Sequence, residues 1–114
     1  MAPSPVVRVS IVRCPPDRFS ALRNMMTAAE TALAPGIMAM RGCHAYFAGA
    51  DEATSSLTNV SVWESRETAE QMDRFAPMLE LGRKFVEMGA TLERPIMNHD
   101  VLCDINVPSH WWSR

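Results

Sequence analysis

The sequence predicts an α+β domain whose elements follow the order β-α-β-β-α-β, the ferredoxin-like arrangement of one antiparallel sheet with two helices on one face. Two observations carry this prediction: apolar residues alternate with a period of two in some segments and recur at helical spacing in others. The 114 residues match the size of one domain. We therefore predict a single domain over residues 1–114, with its core at about 6–104 and a C-terminal tail at 105–114.

The first part of the chain is predicted to form a strand and a helix. Alternating valines predict the strand over Val6–Arg13, and a Cys-Pro-Pro break follows it. Asp17 then stands at the N-cap position of an amphipathic helix over Arg18–Ala34. Pro35 and Gly36 are expected to end this helix.

The rest of the chain is predicted to hold three strands and two helical segments. They are strands over Ile37–Ala48, Leu57–Glu64 and Pro95–Ile105, a helix from Arg66, and a renewed helix from Pro77 that ends at Gly89. Ser65 is expected to cap the first of these helical segments. Because Thr68 rather than Glu stands three residues later, the capping box is predicted to be incomplete.

Two helices on one side leave the other face of the predicted sheet uncovered. Whichever residues of each strand point outward, that face includes several apolar side chains. We therefore expect two copies to pair through their sheet faces as a homodimer. The aromatic pair Trp111 and Trp112 either folds onto the partner subunit or belongs to a free terminus, and the sequence leaves both open.

Composition and charge exclude several classes of partner. The formal net charge is −2 and the 11 basic residues are scattered, so no nucleic acid is expected. No apolar run reaches the roughly 18 residues of a membrane helix, and the N-terminus lacks the layout of a secretory signal. These features predict a cytoplasmic protein with no membrane partner. Isolated cysteines and solitary histidines form no metal-binding pattern, so we expect reduced thiols and no metal.

The most informative segment is LTNVSVWES, residues Leu57–Ser65. Its period-two alternation places Asn59 and Trp63 on one face of a strand, about 13 Å apart, which is about the length of a fused-ring organic molecule. A carboxamide beside an indole suits a planar, oxygen-bearing ligand, so we expect a small hydrophobic or aromatic molecule as partner. The alternative is that Trp63 belongs to the core and Asn59 satisfies a neighbouring backbone group.

The order of elements and the segment NVSVWES together resemble the antibiotic biosynthesis monooxygenase family of dimeric α/β barrels, over about residues 6–104. The most specific shared element is Asn-x-x-x-Trp-Glu-Ser, which contains Asn59 and Trp63. An arginine about twenty residues beyond this Trp also matches, as Arg83. The resemblance implies a monooxygenase that uses neither flavin nor metal. A phenol or quinol loses a proton, and its anion passes an electron directly to dioxygen.

The resemblance also implies roles for individual residues. Asn59 would hydrogen-bond a substrate oxygen, and Arg83 would stabilise the developing oxyanion. Trp63 would pack against the ring system or hydrogen-bond it. Beside these catalytic candidates, His44 and Tyr46 stand two residues apart on the predicted second strand, so their side chains could face one pocket. Both are expected to contact the substrate. The alternative for His44 is a hydrogen-bonded residue at the dimer interface.

Met72 is the third predicted substrate contact, since a flexible thioether adapts to a flat hydrophobic ligand. The chain departs from the family pattern at two positions of the second helix. Quinol-oxidising relatives carry a Tyr where Ala69 stands here, and haem-degrading relatives need a His where Asp73 stands here. Haem degradation, and with it a haem cofactor, is therefore not expected.

The sequence leaves two other functions open. One is a non-catalytic dimeric module that binds a small ligand, as in stress-responsive relatives of the same fold. The other is an isomerase or lyase, which would need His44 and His99 as an acid-base pair.

Overall fold

Within residues 4–105, which a computed structural model describes, four helices and five strands build the predicted α+β, ferredoxin-like fold. The strands are β1 (Val6–Arg13), β2 (Cys43–Asp51), β3 (Ser56–Trp63), β4 (Thr91–Leu92) and β5 (Met97–Asp100). The helices are α1 (Phe19–Ala28), α2 (Glu30–Met38), α3 (Arg66–Ala69) and α4 (Ala76–Glu87), with 3-10 turns at Pro16–Arg18 and Glu70–Arg74. The expectations for Trp111 and Trp112 lie outside the described residues.

The sheet is antiparallel, in the order β2-β3-β1-β4. β5 pairs with the first half of β1, on the same side of β1 as β4, which pairs with its end. Val6 lies opposite Trp63 and Arg8 opposite Ser61, so these four side chains share the face that carries the helices. The core lies between this face and the helices, and its largest fully buried side chains are Trp63, Phe85, Leu22, Leu57 and Val6. In residues 4–105 no helix has the length and apolar character needed to cross a membrane.

The predicted helix stop at Pro35 and Gly36 is wrong, because α2 continues through both residues to Met38. Pro35 lacks an amide hydrogen, but the burial of Ile37 in the core stabilises the last turn of the helix. Gly36 serves close packing instead, since a Cβ at this position would overlap the ring of Phe75.

Two strand boundaries also differ from the prediction. β2 begins at Cys43 rather than Ile37, because Ile37 belongs to the last turn of α2. The predicted fourth strand, Pro95–Ile105, is shorter in the structure, where β5 covers Met97–Asp100. A further short strand, β4, precedes it on the other side of the cis peptide Arg94–Pro95. The predicted third strand is confirmed as β3 to within one residue at each end.

Ser65 caps α3 as predicted, but the capping box is complete, contrary to the expectation. The Thr68 amide donates to Ser65 Oγ at 3.2 Å, and the Ser65 amide donates to Thr68 Oγ1 at 3.1 Å. A threonine hydroxyl thus replaces the usual Glu carboxylate as acceptor. Asp17 makes no capping bond, because it lies inside a 3-10 turn and Arg18 precedes α1.

Trp63 is fully buried, and its indole N–H donates to the Ser61 hydroxyl at 2.7 Å. Ser61 is buried as well and lies two residues earlier on the same face of β3. An indole N–H buried without an acceptor costs about 1–3 kcal/mol, so this bond fixes the orientation of both groups.

Ser61→Ala leaves the Trp63 indole N–H without an acceptor, and we expect the free energy of unfolding to fall by about 1–3 kcal/mol. Trp63→Phe removes the donor and part of the ring, and we expect a loss of similar size, about 1–3 kcal/mol. The double variant should lose less than the sum, since the second change no longer breaks the bond. Urea unfolding of the four proteins measures this coupling, and losses that add to within about 0.3 kcal/mol would contradict it.

Candidate active site

A cavity of about 390 Å³ lies between the helix-facing side of the sheet and α4, and we call it the main cavity. Strands β1, β2 and β3 contribute its polar floor, while α4 and the turn Glu70–Arg74 form the opposite side. Met72, Leu81 and Phe85 are among its apolar walls. Ligand sites of roughly 300–1,000 Å³ hold small organic molecules, so this space suits one such molecule.

Four polar residues form a row across the sheet, which we call the polar row: Tyr46, Ser61, Arg8 and Asn98. The register places Tyr46 opposite Ser61, Ser61 opposite Arg8, and Arg8 opposite Asn98. Residues paired in this way have Cβ atoms about 5 Å apart. The first three line the main cavity, together with Asn59, so the cavity floor is a continuous polar surface.

Two polar groups in the floor of the main cavity are buried without a hydrogen-bond partner among residues 4–105. They are the Asn59 side-chain oxygen and the Tyr46 hydroxyl. The Asn98 side-chain oxygen, at the end of the polar row, is also buried without a hydrogen-bond partner among these residues. Such groups are uncommon in folded proteins, because each costs about 1–3 kcal/mol unless a ligand or water supplies a partner.

Burial raises the pKa of Tyr46 to about 12. The cause is desolvation, which disfavours the charged phenolate relative to the neutral phenol. Tyr46 therefore keeps its proton at neutral pH and remains a hydrogen-bond donor to any oxygen that enters the main cavity.

Arg8 is the charged member of the polar row, and its guanidinium donates to Asp73 Oδ1 at 2.6 Å. The Arg8 side chain is 8% exposed, whereas the Asp73 side chain is 55% exposed. The pair thus joins a buried cation on the cavity floor to a carboxylate at the cavity mouth, since Asp73 also lines the cavity.

The structure places the three predicted catalytic residues in different environments. Asn59 lines the main cavity. Trp63 shares the face of Asn59 but lies in the core behind Ser61, and is not among the residues of the cavity wall. The alternative interpretation of Trp63 as a core residue therefore describes its position.

Arg83 on α4 lines the main cavity, but its guanidinium is shared between two carboxylates. It hydrogen-bonds Glu80 and Glu87 on the same helix, and 54% of its side chain is exposed. The hydrogen bond to Glu80, reinforced by the charges of Glu80 and Glu87, raises the pKa of Arg83. The same hydrogen bond lowers the pKa of Glu80, so both partners stay ionised.

The predicted substrate contacts divide between two spaces. Met72 is buried and lines the main cavity, and Tyr46 lines it as well. His44 is exposed and lines a second groove of about 750 Å³ between β2 and helices α1 and α2, which Tyr46 also borders. His44 and Tyr46 therefore border one groove together, and of the two only Tyr46 also lines the main cavity; the register of β2 shifts between Cys43 and Ala45, on either side of His44.

His44 and His99 do not form an acid-base pair. His44 lies on β2 at one edge of the sheet, and His99 lies on β5 at the other edge, opposite Val7. Among residues 4–105, no group of three His, Cys, Asp or Glu side chains is placed to hold a metal ion.

Two functional candidates were absent from the sequence interpretation: Arg8 as part of the cavity and Asp73 as its partner. A signal for Arg8 was available, because Arg8 shares the parity of Val6 and Val12 and so stands on the buried face of its strand. The position of Asp73 depends on the tertiary packing of the turn Glu70–Arg74, and the strand pattern does not predict it.

No protein-family model and no curated protein matches this sequence. Several solved structures do match it. Rv0793 from Mycobacterium tuberculosis is 22% identical, with 92% of this chain and 100% of that chain covered and a TM-score of 0.61. A Deinococcus radiodurans protein provisionally named an antibiotic biosynthesis monooxygenase is 13% identical, with 90% and 98% covered and a TM-score of 0.68.

A third similar structure, from Bordetella bronchiseptica, carries the same provisional name. It is 19% identical, covers 90% of this chain and 99% of its own, and has a TM-score of 0.60. The chain therefore has the fold of proteins that bear this name, as the resemblance implied. A shared fold at these identities leaves the activity to be argued from the site itself.

Tyr46 is the only tyrosine of the chain, so its ionisation can be followed by absorbance near the tyrosinate band. We expect a midpoint at about pH 12 in the folded protein, against about 10 for an exposed tyrosine. Because the unfolded chain releases this proton at lower pH, the free energy of unfolding should fall as the pH rises from about 10 to 12. Tyr46→Phe serves as the control and should abolish this part of the decline; a midpoint near 10 would contradict the burial.

Proposed function

We propose that the chain is a member of the antibiotic biosynthesis monooxygenase family and oxidises a small aromatic or quinol-type substrate with dioxygen, without a cofactor. One observation carries the proposal: the Asn59 oxygen and the Tyr46 hydroxyl stand buried and unpartnered in the floor of the main cavity. A phenol or quinol offers an O–H donor and oxygen acceptors, so it can complete both groups.

The two groups are complementary in the proposed complex. Asn59 accepts a hydrogen bond from a substrate O–H, and Tyr46 donates one to a substrate oxygen that becomes anionic. The raised pKa of Tyr46, about 12, keeps it in the donor form. Asn59 is diagonal to Tyr46 across β2 and β3, a spacing of about 7–8 Å. One flat molecule with two oxygens spans that distance.

With an anthrone-type substrate, the atoms and electrons of the proposed reaction balance. The substrate loses a proton from its CH₂ group, and the resulting anion passes one electron to dioxygen. The radical and superoxide combine, take up a proton to give a hydroperoxide, and lose water to leave a carbonyl. In sum, CH₂ and O₂ become C=O and H₂O, and the substrate supplies every electron. The protein positions the molecule, stabilises its anion and limits access of bulk water.

Trp63 and Arg83 have secondary parts in this proposal. Trp63 positions the Ser61 hydroxyl in the polar row rather than contacting the substrate. Arg83 contributes positive charge at the side of the cavity, but Glu80 and Glu87 offset most of it. Exposed, salt-bridged charges contribute little, typically about 0–1 kcal/mol.

We expect the purified protein to consume dioxygen with a hydroxyanthrone, in a 1:1 ratio with quinone formed, without added flavin or metal. Asn59→Ala removes the acceptor for the substrate O–H and should lower the turnover rate about 100-fold. Arg83→Ala should lower it by no more than about five-fold, because that charge is already paired. An oxygen electrode and quinone absorbance measure both quantities.

Asn24→Ala is the matched control for Asn59→Ala, because Asn24 lies exposed on α1 and outside both cavities. It should leave oxygen consumption unchanged. If hydroxyanthrones and quinols bind to the protein yet oxygen consumption does not exceed the buffer rate, the protein is a binding module rather than an oxygenase.

We also propose that the protein is cytoplasmic. Cys14, Cys43 and Cys103 are all free thiols, as expected in a reducing compartment. Burial raises the pKa of the Cys14 thiol, which keeps it in the unreactive protonated form.

We also propose that two copies pair through the open face of the sheet. This face carries Val7, Val9, Ile11, Val60 and Val62, which alternate with the residues that face the helices. Phe47 and Met97 flank them and are 54% and 50% exposed in the single chain. A contiguous apolar sheet face of this kind is typical of an interface between subunits.

Phe47→Glu places a charge at the edge of this open face and should convert a dimer to a monomer, because an unpaired charge is costly to bury in an apolar interface. Sedimentation velocity measures the mass directly. Met38→Glu is the control, since Met38 is 84% exposed on α2 and lies away from the open face, so that variant should remain dimeric. A monomeric unmodified protein would refute the pairing.

A further inference from the structure

We propose that Arg8 determines the specificity of the main cavity by binding a carboxylate, so that the substrate is a planar aromatic acid. In the free protein Asp73 occupies the position of that carboxylate, and the bound acid takes its place. The inference rests on the proposed function for the location of the site, and it adds the chemical class of the molecule bound there.

The two members of the Arg8–Asp73 pair differ in what they lose when the pair separates. Arg8 is 8% exposed, so without a carboxylate its charge would be buried and unpaired. Asp73 is 55% exposed and can turn its carboxylate toward water at little cost. Arg8 therefore needs an anion at all times, whereas Asp73 does not need Arg8.

The guanidinium of Arg8 has more donors than Asp73 uses. Asp73 accepts one hydrogen bond from Arg8, and the described residues give this guanidinium no other acceptor. A guanidinium carries five N–H groups in a planar fork that matches a carboxylate through two parallel hydrogen bonds. A ligand carboxylate that made both bonds would bind Arg8 better than the single contact of Asp73 does.

Burial distinguishes Arg8 from the other charges around the main cavity. Three arginines line it, Arg8, Arg83 and Arg94, together with the carboxylate of Asp73. Glu80 and Glu87 pair with Arg83, so the three arginines and the three carboxylates balance in number. Arg83 and Arg94 are exposed and solvated by water, whereas Arg8 is buried, so the attraction for an anionic ligand comes from Arg8.

The position of Arg8 in the polar row also sets where the rest of the acid lies. Ser61 stands between Arg8 and Tyr46 in the row, and Asn59 is the next cavity residue along β3. A carboxylate on Arg8 therefore directs the ring of the acid over β3, toward the two unpartnered groups that hold an oxygen of the substrate.

A matched pair of non-oxidised ligands tests the inference: 2-naphthoate, which carries a carboxylate, and 2-naphthamide, which has nearly the same shape without the charge. Isothermal titration calorimetry under nitrogen measures both affinities with no turnover. We expect the protein to bind the acid at least about ten-fold more tightly than the amide, because a charge-assisted bidentate pair is roughly twice as strong as neutral hydrogen bonds.

Two variants should shift the acid affinity in opposite directions. Asp73→Asn removes the competing carboxylate and should tighten binding of 2-naphthoate about ten-fold, with little effect on 2-naphthamide. Arg8→Met should remove the preference for the acid, and Arg8→Lys, which keeps the charge but lacks the planar fork, should retain only part of it. Arg18→Met, at an exposed position outside both cavities, is the control and should change neither affinity.

A purely structural role of the pair would weaken both ligands in both variants. The inference is therefore overturned if Asp73→Asn weakens the acid, if the unmodified protein binds acid and amide equally, or if neither ligand binds. If Arg8→Met does not fold, Arg8→Lys and Asp73→Asn still decide the question. Oxygen consumption with the hydroxyanthrone is measured separately, so a failure of the acid preference leaves the oxygenase proposal intact, and the reverse also holds.

Discussion

A positive charge on the buried face of the sheet is the constraint from which the cavity follows. Arg8 stands on the central strand β1 between Val6 and Val12, both of which pack into the core. A guanidinium cannot be covered by aliphatic side chains without a large desolvation cost, so apolar packing stops at this position. The carboxylate of Asp73 compensates the charge from one side only. The space that apolar side chains do not fill is the main cavity.

The strand register places other polar side chains beside this charge, and together they form a surface that can bind a ligand. Each strand contributes only one residue to the polar row, and antiparallel pairing places Tyr46, Ser61, Arg8 and Asn98 next to one another. A slip of one residue in any pair would turn these side chains to the open face. The buried bond between Trp63 and Ser61 therefore matters beyond its own energy, because it fixes a member of the row from the core side.

The sequence was sufficient to predict the fold and the face on which Asn59 lies, but not the depth or the partners of the site residues. Period-two alternation assigns a side of the sheet, and it placed Asn59, Ser61 and Trp63 together correctly. It does not tell where along the strand the core ends and the cavity begins, so it could not separate Trp63 from Asn59. The pairing of Arg8 with Asp73, 65 residues apart, depends on how the turn Glu70–Arg74 packs, which no local pattern specifies.

The two arginines at the cavity show why a residue carried over from a family pattern needs its environment to be weighed. Arg83 matches the pattern, but it is half exposed and held by Glu80 and Glu87, so solvent and two carboxylates weaken its field in the cavity. Arg8 matches no pattern, yet it is buried, where the effective dielectric constant is lower and each interaction is stronger. A charged group of a bound molecule therefore interacts more strongly with Arg8 than with Arg83, although both side chains carry the same charge. The fold places Arg8 in the cavity floor, and its burial makes it the stronger of the two arginines toward an anion bound there.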